Sequence, residues 1–322
     1  MKNMSLSSGI SEYLLYHSYE LASREKTVLW HKKNFDSFTA YMSTFYPADK
    51  EIPLSQFNDF NVRSYLLSRV KNDKVSMRTV LNHWQSFKAF CRFLLTREYI
   101  DKDIMLKVTR PKVERKLPDA LNENQVKELV KYMLSRRKRR YRMNYLRDLA
   151  LIGCFLFAGL RRSEAMNLTI NDIDLASHVI KLQRTKSRRV EQMPINKTLY
   201  PLLANYIQVR LTLKRNTDKL FVACNRGNTD DRRRGDGSFG TRGLQLLLGE
   251  INHNTVTTIG KKIYPHLLRR TFGSTLLRHG VNIVSVSRLL RHSDISVTCR
   301  SYIEWNSGEL ATAIEKCNVS IA

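Results

Sequence analysis

Two arginines, two histidines and one tyrosine are the side chains of this sequence that could carry out chemistry together. His266 and Arg269 form an H-x-x-R motif, His292 and Tyr302 follow it, and Arg161 lies far upstream. Guanidinium groups bind phosphate oxygens in a bidentate manner, and a tyrosine hydroxyl can act as a nucleophile. Taken singly, each residue has an ordinary structural explanation, such as a first-turn histidine or a packed tyrosine. Together they are suited to the attack of a hydroxyl on a phosphodiester.

Four stretches that surround these residues resemble the tyrosine recombinases, the family of phage integrases, Cre and the Xer recombinases. The matching texts are AGLRRSEAMNL (158–168), RTKS (184–187), HLLRRTFGSTLLRHGVNI (266–283) and LLRHSDISVTCRSY (289–302). Each text is weak alone, but the set is specific in this order, with Lys186 between Arg161 and the H-x-x-R motif. The resemblance covers the whole chain, because that family also pairs a small helical core-binding domain with a C-terminal catalytic domain.

The resemblance implies a site-specific DNA recombinase that cleaves and rejoins strands through a 3′-phosphotyrosyl intermediate and a Holliday junction. Tyr302 would be the nucleophile. Arg161 and Arg269 would bind the non-bridging oxygens, whose negative charge increases in the transition state. Because the phosphotyrosyl bond keeps the energy of the diester, the reaction is expected to need no ATP, metal or other cofactor.

The resemblance also gives catalytic roles to Lys186, His266 and His292 and a supporting role to Glu164. Lys186, at the tip of a predicted hairpin, would protonate the 5′-oxygen leaving group. His266 would assist proton removal from the tyrosine or hold the phosphate, and His292 would donate a further hydrogen bond to the phosphate. Glu164, one helical turn after Arg161, matches an acidic position of the family that orients neighbouring groups. A plain glutamate at a helix N-terminus is an equally good explanation of Glu164.

Two departures from the family pattern occur near the nucleophile. Arg291 replaces the glycine of the usual Leu-Gly-His, a change expected to matter little chemically because it alters only a close approach. Tyr302 lies ten residues after His292, where nine is usual. One extra helical residue rotates a side chain by about 100°. We therefore expect Tyr302 on a locally distorted or mobile segment, because a bulge or extended stretch would absorb the extra residue.

The elements that must position these residues are mainly helical. Apolar residues recur at helical spacing in four stretches between residues 8 and 94, with Ser23 capping the second helix, Leu54 opening the third and Ser76 the fourth. Further helices are predicted from Asn122, where Gln125 completes a capping box, and at 146–160 and 197–213. Alternating stretches between 173 and 195 predict a small β-hairpin, and 220–223 a short strand. The predicted fold is therefore mainly α with a small β-sheet, and the resemblance adds a C-shaped clamp on DNA.

Proline, glycine and charge patterns indicate how the chain is divided. Residues 109–121 hold two prolines and no apolar period, which is typical of a linker. We predict a helical core-binding domain at 1–112, a linker at 113–121 and a catalytic domain at 122–322. Gly159 permits the left-handed turn that ends the helix at 146–160, and Arg161 then opens a helix whose free N–H groups favour an anion.

The charge of the chain favours a polyanionic partner. Lys and Arg number 55 against 29 Asp and Glu, which gives a formal net charge of +26. A ribosome-associated or merely solubilised surface is the plain alternative to DNA binding. Contacts to the DNA backbone are predicted for basic side chains in both domains. They are Lys32, Lys33, Arg69, Lys74, Arg78, Lys88, Arg92, Arg137, Arg139, Arg140 and Arg188.

The expected partner is double-stranded DNA with an inverted-repeat core site. The resemblance further implies a homotetramer on DNA, joined by exchange of a C-terminal helix that starts near Ser307, and accessory DNA-bending proteins. The sequence has no run of 18 apolar residues and no signal-like N-terminus, so we expect a cytoplasmic, nucleoid-associated protein without a membrane partner. The five cysteines include no C-x-x-C pair, so we expect them to be reduced.

The biological role is expected to be integration or excision of a mobile element, or resolution of replicon dimers. Two other functions fit the same residues. One is a type IB topoisomerase, which uses similar Arg, Lys, His and Tyr chemistry. The other is a regulator on the same fold that binds a DNA sequence without cleaving it, which the ten-residue spacing makes conceivable.

Overall fold

The computed structural model describes residues 4–47, 49–114, 119–136, 142–183, 190–213, 215–223, 237–292 and 294–302. Helices dominate these ranges and are accompanied by one small antiparallel sheet, which confirms the predicted fold class. The chain separates into two compact units, Met1–Lys116 and Leu117–Ala322. Within the described ranges, no helix is both long and apolar enough to cross a lipid bilayer.

The first unit contains the four helices that the apolar periodicity predicts. They are α1 (Leu6–Leu15), which continues into a π-helical turn at Tyr16–Glu20, α2 (Glu25–Ser43), α3 (Asp59–Lys71) and α4 (Met77–Thr96). Ser76 caps α4 as expected, with its side chain accepting a hydrogen bond from the first turn. Ser23 does not cap α2; its Oγ lies 3.0 Å from His17 Nδ1 instead. The third helix begins later than predicted, after the cap Asn58, because Leu54–Gln56 forms a separate 3-10 turn.

An aromatic cluster forms the core of the first unit. Phe35, Phe38, Phe87 and Phe90 are at most 1% exposed. The Tyr13 ring meets Phe90 edge-on, with 5.3 Å between the ring centroids. Burying a ring of this size stabilises a fold by about 1.5–3 kcal/mol. This core fixes the helices whose outer faces carry the basic residues predicted to contact DNA.

The second unit consists of helices around a small sheet. Its helices are α5 (Glu123–Ser135), α6 (Arg142–Phe157), α7 (Arg162–Asn167), α8 (Leu199–Leu211), α9 (Thr241–Ile259), α10 (Pro265–Arg278), α11 (Ile283–Leu289) and α12 (Ile295–Tyr302). The predicted capping box is present at α5, where Asn122 and Gln125 exchange two hydrogen bonds of 2.9 Å. Helix α6 is buried on nearly all sides, as its continuous apolar sequence predicts, and packs against α8 and α10.

The sheet has the order β1 (Ile173–Asp174), β2 (Val179–Gln183) and β3 (Val190–Pro194), with antiparallel pairing throughout. Ile180 pairs with Met193, and both side chains are buried. The predicted hairpin is therefore confirmed. Its tip, with Lys186, lies outside the described residues.

Two sequence expectations for the second unit were incomplete. Helix α9 was missed, although Leu244, Leu247 and Ile251 are buried along it at helical spacing. Residues 226–243, which precede and overlap the start of this helix, are rich in Gly, Asp and Arg, a composition that favours a loop. The expected strand at 220–223 is reduced to isolated bridges, in which Val222 pairs with Ser238.

Candidate active site

Arg161 lies at the junction between α6 and α7, where two parts of the residue bind the same carboxylate. Its backbone N–H donates to Glu164 Oε2 at 2.7 Å, and its Nη1 donates to Glu164 Oε1 at 2.6 Å. The anion at the start of this short helix is thus the protein's own carboxylate. The Arg161 side chain remains 42% exposed, so a part of its guanidinium faces solvent.

Three arginines converge on the turn that follows α11. Leu289 O accepts from Arg291 Nη1 at 2.8 Å, Leu290 O accepts from Arg269 Nη2, and Arg291 O accepts from Arg161 Nη2 at 2.7 Å. The last carbonyls of a helix have no partner within the helix and carry the negative end of its dipole. Guanidinium groups satisfy both needs, so this helix end brings Arg161 and Arg269 together although they are far apart in sequence.

Arg269 is held rigidly between two chain segments. Its side chain is 2% exposed, and its Nη1 donates to Gly159 O at 2.6 Å in addition to the bond with Leu290. Gly159 adopts a φ of +57°, as predicted, which turns its carbonyl out of the α6 hydrogen-bond pattern. A Cβ at this position would lie 2.4 Å from Phe272 on α10, so glycine is required both by the backbone and by the packing.

Arg291 is a buried member of this cluster, so its replacement of glycine alters more than the close approach that the sequence predicts. Its side chain is buried, with Nη2 2.8 Å from Glu164 Oε2 and 3.3 Å from Gly159 O. The φ of +54° explains why glycine suits this position in the family pattern. Arg291 adopts this left-handed conformation although it is unfavourable for a residue with a Cβ. Its guanidinium is the third one at this turn and lies behind Arg161.

Glu164 is a carboxylate that all three arginines share, at distances of 2.6 to 3.8 Å. Burial alone would raise the pKa of Glu164. The positive charge of Arg291, together with hydrogen bonds from the Arg161 backbone and from both guanidinium groups, outweighs burial and lowers the pKa to about 2. Glu164 is therefore ionised near pH 7 and accepts hydrogen bonds from Arg161 and Arg291.

His266 and His292 lie in the positive field of the same arginines. Partial desolvation is the main cause that lowers the pKa of both rings, and Arg269 and Arg161 contribute to both shifts. For His292 the pKa falls to about 4. His292 Nδ1 lies 2.7 Å from Oγ1 of Thr298, a fully buried residue of α12. Both imidazoles are thus neutral near pH 7.

Tyr302 is the last described residue of α12, which packs on α10 and α11. The expected distortion is not found in the main chain, because residues 295–302 form an uninterrupted α-helix. His292 and Asp294 are not helical, so an extra residue can be accommodated before the helix begins. The side chain of Tyr302 and the whole of Lys186 lie outside the part of the chain that the structure describes.

The segment that carries this geometry matches a known family. A sequence profile of the phage integrase family matches residues 119–309, more than half of the chain. A curated relative, the tyrosine recombinase XerA of Thermococcus kodakarensis, is 30% identical over 263 residues, which cover 81% of this chain and 83% of that protein. The chain belongs to the phage integrase family. It is accordingly a tyrosine-type site-specific recombinase, as the resemblance implies.

Other members of the phage integrase family match most of the chain. The tyrosine recombinase XerC of Pelotomaculum thermopropionicum is 26% identical over 297 residues, or 90% of this chain and 91% of that protein. Among solved structures, the Tn1549 transposon integrase in complex with a circular intermediate DNA has a TM-score of 0.73 at 18% identity, covering 98% of this chain and 100% of the other. The XerH recombinase bound to palindromic difH has a TM-score of 0.68 at 18% identity, covering 90% and 79%. These likenesses confirm the fold of an integrase.

The structure of this integrase family member brings together four of the six predicted catalytic residues. Arg161 and Arg269 donate to the Arg291 and Leu290 carbonyls, His292 follows this turn directly, and both histidines lie in the electrostatic field of the two arginines. The contacts of Arg291 and Thr298 with these residues were not predicted from the sequence. The departure from Leu-Gly-His was the available sign for Arg291. Within the described ranges, no group of His, Cys, Asp or Glu residues is placed to hold a metal ion.

The predicted DNA contacts of the recombinase fall into three groups. Lys32, Arg69 and Lys88 are ion-paired within the first unit, with Asp36, Asp73 and Asp103 at 2.8, 2.5 and 2.5 Å. A second group is exposed on the first unit and comprises Lys33, Lys74, Arg78 and Arg92. The third group lies outside the described residues and comprises Arg137, Arg139, Arg140 and Arg188. A lysine or arginine that is paired with a carboxylate must break that ion pair before it can bind a phosphate. The exposed second group is therefore better placed to bind the DNA backbone.

Proposed function

We propose that this recombinase cleaves and rejoins DNA at a specific site through a covalent bond between Tyr302 and a 3′-phosphate. The observation that carries the proposal is the convergence of Arg161 and Arg269, with two neutral histidines, at the end of α11. Helix α12 follows directly and ends its described part at Tyr302. A phosphodiester bound by these guanidiniums would then lie near the helix that bears the nucleophile.

The proposed step exchanges one phosphate ester for another. The Tyr302 oxygen forms a bond to phosphorus while the bond to the 5′-oxygen breaks, and the tyrosine proton leaves toward His266, whose lowered pKa keeps the ring able to accept it. Lys186 supplies the proton that the 5′-oxygen needs. Arg161 and Arg269 stabilise the charge that develops on the non-bridging oxygens, an effect worth about 3 kcal/mol for a single preorganised donor. Because the diester energy is kept, the reverse attack by a 5′-hydroxyl rejoins the strand.

The substrate of the proposed reaction is double-stranded DNA with an inverted-repeat core site. The formal charge of +26 and the exposed basic residues of the first unit support binding to the phosphate backbone. We further propose a homotetramer, linked by exchange of the C-terminal helix, that proceeds through a Holliday junction with the help of accessory DNA-bending proteins. Its role would be integration or excision of a mobile element, or resolution of replicon dimers, in the cytoplasm at the nucleoid.

A nicked duplex tests the cleavage step. A binding site is first selected from random duplexes with Tyr302→Phe protein, and a nick is then placed so that the cleaved end diffuses away and the adduct is trapped. The wild-type protein should form a DNA adduct that withstands denaturation, and Tyr302→Phe should form none. Tyr19→Phe, which alters an exposed tyrosine of the first unit, is the matched control and should form the adduct normally.

The same experiment separates the alternative functions. Sequence-specific binding without an adduct would reject cleavage and favour a DNA-binding regulator. An adduct combined with relaxation of any supercoiled plasmid, and no exchange between two selected sites, would favour a type IB topoisomerase. Exchange of flanking DNA between two selected sites is the result that we expect.

A further inference from the structure

Arg291, whose backbone is left-handed, contacts both Arg161 and Glu164 from the interior of the site. Its side chain is 5% exposed and lies behind Arg161, which is 42% exposed. Its carbonyl receives Arg161 Nη2 at 2.7 Å, and its Nη2 reaches Glu164 Oε2 at 2.8 Å. One residue therefore contacts Arg161 both directly and through the carboxylate that Arg161 also binds.

We propose that Arg291 is a positioning residue for strand cleavage, which neutralises Glu164 and thereby leaves the charge of Arg161 available to the scissile phosphate. This inference rests on the proposed function. Arg269 neutralises Glu164 less directly, because its Nη1 is 3.8 Å from Glu164 Oε2 and donates to Gly159 O.

The charges of the four groups explain the effect. Arg161, Arg269 and Arg291 against Glu164 leave a formal charge of three minus one, or +2, around the turn at 289–291. Without Arg291 the sum is +1, and Glu164 would bind Arg161 as its main partner. The non-bridging oxygens carry more negative charge in the transition state of phosphodiester attack than in the ground state. A cation that faces these oxygens therefore stabilises the transition state more than it stabilises bound DNA. Loss of Arg291 should therefore slow cleavage more than it weakens DNA binding.

Arg291→Gly is the informative substitution, because glycine tolerates the φ of +54° and the variant should fold. Cleavage of the nicked duplex by the prebound protein should slow by about 10- to 100-fold, by analogy with the loss of a group that orients a metal ligand. DNA affinity, measured by fluorescence anisotropy over a range of salt concentrations, should stay within about twofold. Arg291→Lys, which keeps the charge but not the fork, should cleave at an intermediate rate.

The double variant Glu164→Gln with Arg291→Gly distinguishes charge from packing. Removing the unbalanced carboxylate should restore most of the rate that Arg291→Gly loses, whereas a residue that only fills space would show no such rescue. Arg288→Ala, which removes an exposed guanidinium from the end of α11, controls for the loss of one positive charge and should cleave normally once bound.

The pH dependence of cleavage supplies a further readout. His292 faces Arg269 and His266 from α10, Arg161 from the start of α7, its neighbour Arg291, and Thr298 from α12. Because Arg291 helps to lower the pKa of His292, its removal should raise that pKa, and the pH profile should shift upward. Wild-type adduct formation with an unchanged rate and profile in Arg291→Gly would overturn this inference alone. Absence of an adduct with the wild-type protein would overturn the proposed function and this inference with it.

Discussion

We expect the first unit to lose stability as the pH falls from 7 to 5, because two of its buried histidines resist protonation. His31 and His83 are 4% and 3% exposed. His31 Nδ1 lies 2.8 Å from Ser86 Oγ, and His83 Nδ1 lies 3.3 Å from the Tyr65 hydroxyl, so neutral partners satisfy both rings. Desolvation by burial is the main cause that lowers each pKa from 6.5 to about 4.

The sign and size of the effect follow from proton binding. Between pH 6.5 and pH 4 the unfolded chain binds protons on His31 and His83 that the folded chain does not bind. Their stabilising contribution is therefore complete above pH 6.5 and is lost as the pH falls toward 4. At about 1.4 kcal/mol per pKa unit, each histidine removes about 2 kcal/mol of unfolding free energy at pH 5, and the pair removes about 4 kcal/mol. That is a large part of the roughly 5–15 kcal/mol that stabilises a typical domain.

Urea unfolding at the two pH values measures this loss. Trp30 and Trp84 lie in the first unit, so Trp305→Phe leaves tryptophan fluorescence that reports on this unit alone. His31→Gln does not titrate and can still bond to Ser86, so it should retain about half of the pH-dependent loss. A double variant with His83→Gln should retain only the contribution of His17, whose pKa is also lowered by burial. Equal unfolding free energies at pH 7 and pH 5, or an undiminished loss in the double variant, would refute the reasoning.

Three further predictions concern the candidate active site. Gly159→Ala should destabilise the second unit by about 2–5 kcal/mol, because the alanine would have a left-handed backbone and its Cβ would clash with Phe272. A thermal midpoint equal to that of the wild type would contradict this prediction. Arg269→Lys should abolish the DNA adduct and also lower the thermal midpoint, since an ammonium cannot bridge the Gly159 and Leu290 carbonyls; full adduct formation would argue against the assigned role. Thr298→Val removes the hydrogen bond to His292, which is worth about 1 kcal/mol, so cleavage of prebound DNA should become roughly fivefold slower. An unchanged rate would show that this hydrogen bond is dispensable.

Local features were predictable from the sequence because they depend on neighbours in the chain. The capping box of Asn122 and Gln125, the left-handed Gly159 and the hairpin of β2 and β3 follow from residue type and short spacing. The missed helix α9 was predictable in the same way, since its buried leucines have a helical period. The motif order likewise sufficed to assign the family.

The site itself depends on contacts that no local pattern contains. Arg161 donates to the Arg291 carbonyl, and Arg269 donates to the Gly159 carbonyl. Both hydrogen bonds form only after the fold has brought α6, α10 and the end of α11 together. The sequence alone determined that arginines, histidines and a tyrosine are present in an order suited to phosphodiester chemistry. The tertiary structure decided which charges share Glu164 and that Arg291 is one of them, because burial and ion pairing between distant segments depend on packing rather than on spacing.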